Sequence, residues 1–163
     1  MTLIYQNNEI SHWYDLILLA QKDSAINLEH ELEGYVVMML MRFNRRPSLA
    51  NAVLAIEFLE SFKVSGSRKH TQLREVADQC LLYSGLFPKR AKRKRVSSDY
   101  FIELGQSAYQ GLRDHLFYAM PVLSKLYAQL SEEFIKITDV IYAMRDQNQG
   151  NLDFNYVSNL KMN

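Results

Sequence analysis

The feature that most constrains the fold of this sequence is the spacing of its apolar residues, which recur every three or four positions along most of the chain. This spacing places them on one face of an α-helix. The 163 residues include only 6 Gly and 3 Pro, so few positions suit the many turns of a β-sandwich or barrel. The sequence therefore predicts an all-α protein, a single-domain helical bundle of about six helices.

Capping residues and prolines set the expected limits of the helices. Asn27 is a suitable N-cap, and Pro47 disfavours helix at the residue before it. Gly105 and Gly111 lie inside a predicted helix, where they can permit a close helix crossing. The bundle is expected to span residues 1–146, followed by an Asn-rich tail over 147–163 that is loosely ordered or docked. The helices are expected at about residues 9–21, 27–45, 47–64, 71–84, 98–112 and 121–145.

The single cysteine, Cys80, excludes an intramolecular disulfide and a multi-cysteine zinc site. It falls on the apolar face of a predicted helix, which predicts a buried thiol with a raised pKa rather than a nucleophile. The N-terminus has no signal-peptide pattern, and the longest helix-like apolar stretch, residues 35–41, is far shorter than the roughly 20 residues of a membrane span. We therefore expect a cytoplasmic protein with no membrane span.

A run of basic residues interrupts an otherwise acidic chain. The whole sequence has 19 Lys+Arg and 18 Asp+Glu, and without residues 89–95 the balance is 13 against 18. Such a run is commonly a solvated loop, but it also attracts phosphate, nucleic acid, anionic lipid or an acidic protein face. We call residues 89–95 the basic segment. Its charged members are Lys89, Arg90, Lys92, Arg93, Lys94 and Arg95.

Two specific interpretations of the basic segment are a nucleic-acid-binding site and an address or docking peptide. Six neutralised phosphates would give a salt slope near −5, at about 0.9 per contact. Single-strand binders, however, usually place aromatics among the positive charges, and here Ala91 is the only interruption. Residues 88–96, Pro-Lys-Arg-Ala-Lys-Arg-Lys-Arg-Val, also resemble a monopartite nuclear import signal. That resemblance implies nuclear targeting in a eukaryotic cell, for instance of a delivered bacterial effector.

A longer pattern extends over about residues 73–109. It comprises Leu-Tyr-Ser-Gly-Leu-Phe-Pro at 82–88, Val-Ser-Ser-Asp-Tyr at 96–100 and Leu-Gly-x-x-Ala-Tyr at 104–109. This pattern resembles a family of uncharacterised bacterial helical proteins, which has no known activity to carry over. The resemblance implies that the basic segment belongs to a helix–loop–helix unit. The residues that could then be paired internally are Arg93, Arg95, Asp99 and Tyr100.

Residues suited to catalysis or metal binding do not form a complete set in the sequence. A di-iron helical bundle needs two Glu-x-x-His pairs, and only one, Glu9 with His12, is present. The four histidines are scattered over different segments, with no orienting partner evident. We predict no catalytic residue, metal or cofactor, and an enzyme is the least favoured class.

Ten tyrosines are many for a chain of this length, and three of them suggest an alternative site. Tyr83, Tyr100 and Tyr109 could line a cleft between helices that takes a small molecule, because tyrosine combines an apolar ring with a polar hydroxyl. Core packing is the structural alternative for all three.

The preferred interpretation is a non-enzymatic protein that binds a partner through the basic segment. The expected partner is a protein with an acidic face, steered by charge and anchored by flanking aromatics. A nucleic-acid-binding or nuclear-targeted protein is the first alternative, and a small-molecule binder or enzyme the second. Self-association through Met38, Met39 and Met41 is also left open. The residues predicted to line a pocket or anchor the loop are Tyr83, Phe87, Asp99, Tyr100 and Tyr109.

Overall fold

The computed structural model describes residues 2–45, 58, 60–86 and 98–147. Over these residues the chain forms six helices and no strand, which confirms the predicted all-α helical bundle. The predicted third helix, over 47–64, lies mostly outside the described residues, although Phe58, Glu60 and Ser61 are helical. The predicted tail lies outside them apart from Gln147, which ends α6. The helices are α1 (Thr2–Ser24), α2 (His30–Arg45), α3 (Gly66–Leu86), α4 (Ser98–Leu116), α5 (Pro121–Glu132) and α6 (Phe134–Gln147).

The described helices belong to two compact units, which we name by their position in the sequence. The terminal unit contains α1, α2 and the part of α6 from Asp139 onward. The central unit contains α3, α4, α5 and the first residues of α6, up to Thr138. The central unit contains all three tyrosines predicted to line a cleft, Tyr83, Tyr100 and Tyr109.

In the terminal unit, α1 packs against α2 and the turn between them is fixed by Gln21. The Gln21 side chain is buried, accepts a hydrogen bond from the backbone N–H of Leu28 at 2.7 Å and donates one to Glu33 Oε1 at 3.0 Å. Ala25 takes a left-handed φ of 56° at the end of α1, a conformation that reverses the chain. Both hydrogen-bonding groups of the amide are thus satisfied at the turn.

In the central unit, α4 packs against α3 on one side and α5 on the other. Gly105 permits a very close approach, because a Cβ there would lie 2.6 Å from Phe134 Cε2 and 2.8 Å from Cys80 Cβ. The prediction of a close crossing is therefore confirmed at Gly105. At Gly111 a Cβ would lie 3.4 Å from Leu73 Cδ2, which a small side-chain shift can accommodate.

The prediction of one helix over residues 121–145 was wrong, because α5 ends at Glu132 and α6 begins at Phe134. Glu133 departs from helical geometry, with φ −92° and ψ 9°. The end of α5 is tied to α4 instead: Ser131 Oγ donates to the carbonyl of Gln106 at 3.2 Å and accepts from Gln110 Nε2 at 3.2 Å. The apolar spacing continues across the break, so the sequence pattern did not reveal it.

Candidate functional site

The basic segment lies in the connection between α3, which ends at Leu86, and α4, which begins at Ser98. All six of its charged residues and Phe87 lie outside the described residues, so their predicted role remains a prediction. Asp99 lies in the first turn of α4, but its side chain is also outside the described part of the molecule. The structure does define the two helix ends that flank the basic segment, the end of α3 and the start of α4.

Those two helix ends lie side by side, joined by aromatic contacts. The rings of Tyr83 and Phe101 are 5.9 Å apart, and those of Tyr100 and Phe101 are 5.6 Å apart. Tyr83 is buried, whereas Tyr100 remains 38% exposed. Tyr83 is one turn before the end of α3 and Phe101 is one turn after the start of α4, so this contact joins the two helix ends at one place. We call this place, with Tyr83, Tyr100 and Phe101, the basic end.

The third predicted cleft residue, Tyr109, lies elsewhere. It is eight residues after Phe101 on α4, about 12 Å along the helix axis. Its ring is fully buried, and its hydroxyl donates a hydrogen bond to Asp78 Oδ1 at 2.7 Å. The structure therefore brings Tyr83 and Tyr100 to a common neighbour, Phe101, and places Tyr109 in the interior, bonded to a buried carboxylate.

Tyr109 is part of a polar cluster that connects this interior to the surface. Its ring stacks on that of Tyr127 at a centroid distance of 6.0 Å, and Tyr127 Oη shares a hydrogen bond of 3.2 Å with His70 Nε2. Burial lowers the pKa of His70, and the positive charge of Arg74 acts in the same direction, while Asp78 opposes it. We call Asp78, Tyr109, Tyr127 and His70 the polar cluster. Sequence reasoning had treated all the histidines as isolated.

Two other groups are more simply explained. Cys80 is fully buried and its pKa is raised by desolvation and by the nearby Asp78 carboxylate, which confirms the expectation of an inert thiol. Glu9, half of the only Glu-x-x-His pair, forms an ion pair of 2.7 Å with Arg45. Within residues 2–45, 58, 60–86 and 98–147, no three His, Cys, Asp or Glu side chains are grouped so that they could hold a metal ion.

Exposed apolar side chains mark a second surface, which sequence reasoning missed. They occupy the turn from α4 to α5: Phe117 is 58% exposed, Tyr118 92%, Met120 48% and Val122 86%. Monomeric proteins rarely expose large contiguous apolar patches without a function. We call these four residues the aromatic end. In the sequence, this surface could have been recognised from four large apolar residues within six positions at a predicted helix junction.

The start of α3 is next to the aromatic end. The carbonyl of Gly66 accepts a hydrogen bond from His115 Nε2 at 3.0 Å, and since a carbonyl cannot donate, this nitrogen carries the proton. Gly66 has a left-handed φ of 64°, which suits glycine and directs the chain into α3. Arg68 and Lys69, which are in the first turn of α3, therefore lie close to the end of α4.

The turn itself is held firmly from inside. Ser124 Oγ, which is buried, donates to the carbonyl of Arg113 at 2.7 Å, and the backbone N–H of Met120 donates to the carbonyl of Leu116 at 2.9 Å. These bonds satisfy carbonyls that the end of α4 would leave without a helical partner. The four apolar side chains are thus presented on a defined turn.

Comparison with protein-family models, with curated proteins and with solved structures finds no match. Among the described helices, none combines the length and the apolar composition needed to cross a bilayer. The function of this chain has therefore to be inferred from the two ends of its central unit and from the polar cluster between them.

Proposed function

We propose that this is a non-enzymatic helical protein that binds the acidic face of another protein through the basic segment. The observation that supports this most directly is the Tyr83–Phe101 contact at 5.9 Å. It joins the end of α3 to the start of α4, the two helix ends between which the basic segment lies in the sequence. The proposal includes action in the cytoplasm, or in a nucleus if the protein is delivered to a eukaryotic cell.

Concentrated charge and a nearby exposed aromatic ring suit a two-step association. A cluster of like charges attracts an oppositely charged partner over about one Debye length, roughly 8 Å at physiological salt, and raises the association rate. Charge alone gives little lasting affinity, which comes mainly from buried aromatic anchors. Tyr100, partly exposed beside Phe101 at the base of the segment, is suited to that second role.

Two alternatives use the same region differently. Nucleic acid could occupy the basic segment, since phosphates are attracted by the same charges. A small molecule could bind between the helices near Tyr83. The tyrosine-lined cleft of this second alternative would have to form without Tyr109, whose hydroxyl is committed to Asp78 in the interior.

Fluorescence anisotropy of labelled probes tests the proposal. The probes are an acidic peptide of ten glutamates, a short RNA and a short DNA, each at low and at physiological salt. A variant with all six basic residues of the segment changed to Gln should bind the acidic peptide at least tenfold more weakly than the natural chain. Tyr100→Ser should weaken binding severalfold at unchanged salt dependence, because it removes a ring and no charge.

Matched controls are available in the same chain. Lys22→Gln with Lys136→Gln removes exposed charges elsewhere, and Tyr142→Ser removes a half-exposed tyrosine of the terminal unit. Neither should change peptide binding. Binding of the nucleic acids with a salt slope near −5, lost in the six-Gln variant, would replace the proposal by the nucleic-acid alternative. Peptide binding that is absent, or that survives the six-Gln change, would refute it.

A further inference from the structure

A second binding surface is present at the aromatic end, independent of the proposed function of the basic segment. We infer that the aromatic end docks this protein reversibly on an anionic lipid surface. The turn from α4 to α5 would enter the interface between headgroups and acyl chains, and basic side chains around it would contact lipid phosphates.

The main support for this inference is the order of the side chains, with apolar residues at the turn and basic residues farther from it. The apolar residues stand at the turn itself, and Tyr118 and Val122 are almost completely exposed. Basic side chains lie about one helical turn further back: Arg113 four residues before Phe117, and Lys125 three residues after Val122. Apolar groups at the tip and positive groups behind them match the order of acyl chains and phosphates in a bilayer.

The start of α3 adds positive charge at the same end. Its first turn contains Arg68 and Lys69 and no acidic residue, although a helix N-terminus normally favours an acidic side chain. The helix dipole and these two cations therefore reinforce one another. Lys69 Nζ lies 6.0 Å from the centre of the ring of Phe62, another exposed aromatic residue.

Few acidic groups oppose this charge among the described residues of this end. Asp114 forms an exposed ion pair of 2.9 Å with its neighbour Arg113, and both side chains remain accessible to solvent. Glu60 is exposed and lies three residues before Lys63 in a turn closed by the bond from Lys63 N–H to the Glu60 carbonyl. Among the described residues of this end, the cations that form no ion pair with an acidic side chain are Lys63, Arg68, Lys69 and Lys125.

Shape favours a bilayer over an acidic protein as the occupant. The apolar residues project from a turn between two helices, so a protein partner would need a matching apolar hollow ringed by acids. A bilayer interface accepts a projecting apolar turn without such a match, and Tyr and Phe rings are well suited to it. Both components are needed, since a few apolar side chains or a few charges alone bind membranes weakly.

Vesicle co-sedimentation with the full chain tests the inference. The vesicles are phosphatidylcholine alone, or phosphatidylcholine with one third phosphatidylserine, at low and at physiological salt. The natural chain should bind the anionic vesicles and bind the neutral ones much more weakly. Each basic residue near a lipid surface contributes about 1 kcal/mol, which is about fivefold in partitioning, so Arg68→Gln with Lys69→Gln should weaken binding by more than tenfold.

The apolar contribution is tested by Tyr118→Ser with Val122→Ser, which should also lower binding by at least tenfold. These side chains are so exposed that the substitutions should leave thermal unfolding unchanged. The matched control is Ile135→Ser with Tyr142→Ser, two half-exposed apolar residues of α6. A Tyr118→Trp variant gives a direct reading, since its emission should shift to the blue on anionic vesicles, whereas native Trp13 is buried.

Several outcomes would overturn the inference. Failure of the natural chain to bind anionic vesicles is one, and unchanged binding after Tyr118→Ser with Val122→Ser is another. Vesicle binding lost only in the six-Gln variant of the basic segment would assign the lipid contact to the other end. Binding of the ten-glutamate peptide or of RNA that depends on Tyr118 and Val122, without vesicle binding, would replace the lipid by a protein or a nucleic acid.

Discussion

The two ends of the central unit present positive charge in two different ways. At the basic end the charges are consecutive in the sequence, over residues 89–95, between two helix ends joined by the Tyr83–Phe101 contact. At the aromatic end they come from separate segments, the start of α3, the end of α4 and the second turn of α5, around exposed apolar residues. A surface built from one run can be recognised in a sequence, whereas one assembled from three helices cannot.

The comparison also separates two kinds of binding. The basic end offers many charges and one partly exposed ring, Tyr100, so its interaction should depend strongly on salt. The aromatic end offers fewer charges and a larger exposed apolar surface, so removing Tyr118 and Val122 should matter there as much as removing charge. The following predictions test whether the two ends share one rigid unit and differ as described.

The largest effect is expected for Gly105→Ala, which acts midway between the two ends. The new Cβ would overlap the buried ring of Phe134 and the Cβ of Cys80, and the latter is held next to its backbone. We expect a loss of about 3 kcal/mol in the free energy of unfolding, since overpacking outweighs the gain of about 1 kcal/mol from replacing a helical glycine. Urea denaturation followed by circular dichroism measures it.

Gly111→Ala is the matched control on the same helix. The nearest atoms to its Cβ would be the mobile methyl groups of Leu73, so the variant should be as stable as the natural chain or more stable. Equal stability of the Gly105 and Gly111 variants would contradict the close crossing and the view that one packed unit carries both ends.

An intermediate effect is expected when the buried and exposed tyrosines are compared. Tyr109→Phe removes the hydroxyl that donates to Asp78 at 2.7 Å inside the unit, and should cost about 2 kcal/mol because a buried carboxylate oxygen loses a donor. Tyr118→Phe removes a hydroxyl at the surface of the aromatic end and should change stability by less than about 0.5 kcal/mol. The melting temperatures of both variants are compared with that of the natural chain. Equal decreases in melting temperature would contradict the distinction between interior and surface tyrosines.

The smallest effect is expected from pH and concerns the polar cluster beside the aromatic end. The pKa of His70 is lowered below its ordinary 6.5, by burial first and then by Arg74 and His115, against the opposing charge of Asp78. The unfolded chain therefore binds a proton to this imidazole at higher pH than the folded chain does. The contribution of His70 to the free energy of unfolding should be constant above about pH 7. It should decrease as the pH falls through 6.5 toward the pKa of His70 in the folded chain.

This pH dependence can be assigned by substitution. His70→Gln should flatten the dependence between pH 7 and pH 5.5, while His12→Gln, a change at an exposed histidine, should leave it as in the natural chain. A natural chain that becomes more stable as the pH falls from 7 to 5.5, with the rise lost in His70→Gln, would contradict the lowered pKa.

Several elements of the fold followed from local sequence. Apolar spacing predicted α2, α3 and α4, and the position of Cys80 among Val76, Ala77 and Leu81 predicted its burial, since both depend only on the period of a helix. Helix limits were less well predicted: α1 and α3 begin several residues earlier than expected. The first turn of α3 is polar, so apolar spacing carries no signal there.

The polar cluster could not be predicted for a different reason. Asp78, Tyr109, Tyr127 and His70 come from α3, α4 and α5, and a pairing between two polar residues leaves no trace in the spacing of either helix. The same holds for the break at Glu133, where Ser131 is bonded across to Gln106 and Gln110. Such contacts depend on which helix faces overlap.

The sequence by itself determined the helical class, the buried thiol of Cys80 and the concentration of positive charge over residues 89–95, because each is a property of neighbours along the chain. The tertiary structure decided the separation of Tyr109 from Tyr83 and Tyr100, and the joining of Gly66 to His115 that brings the start of α3 to the aromatic end. These depend on how helices from distant segments pack, and the periodicity of one helix identifies its buried face without identifying the helix that covers it.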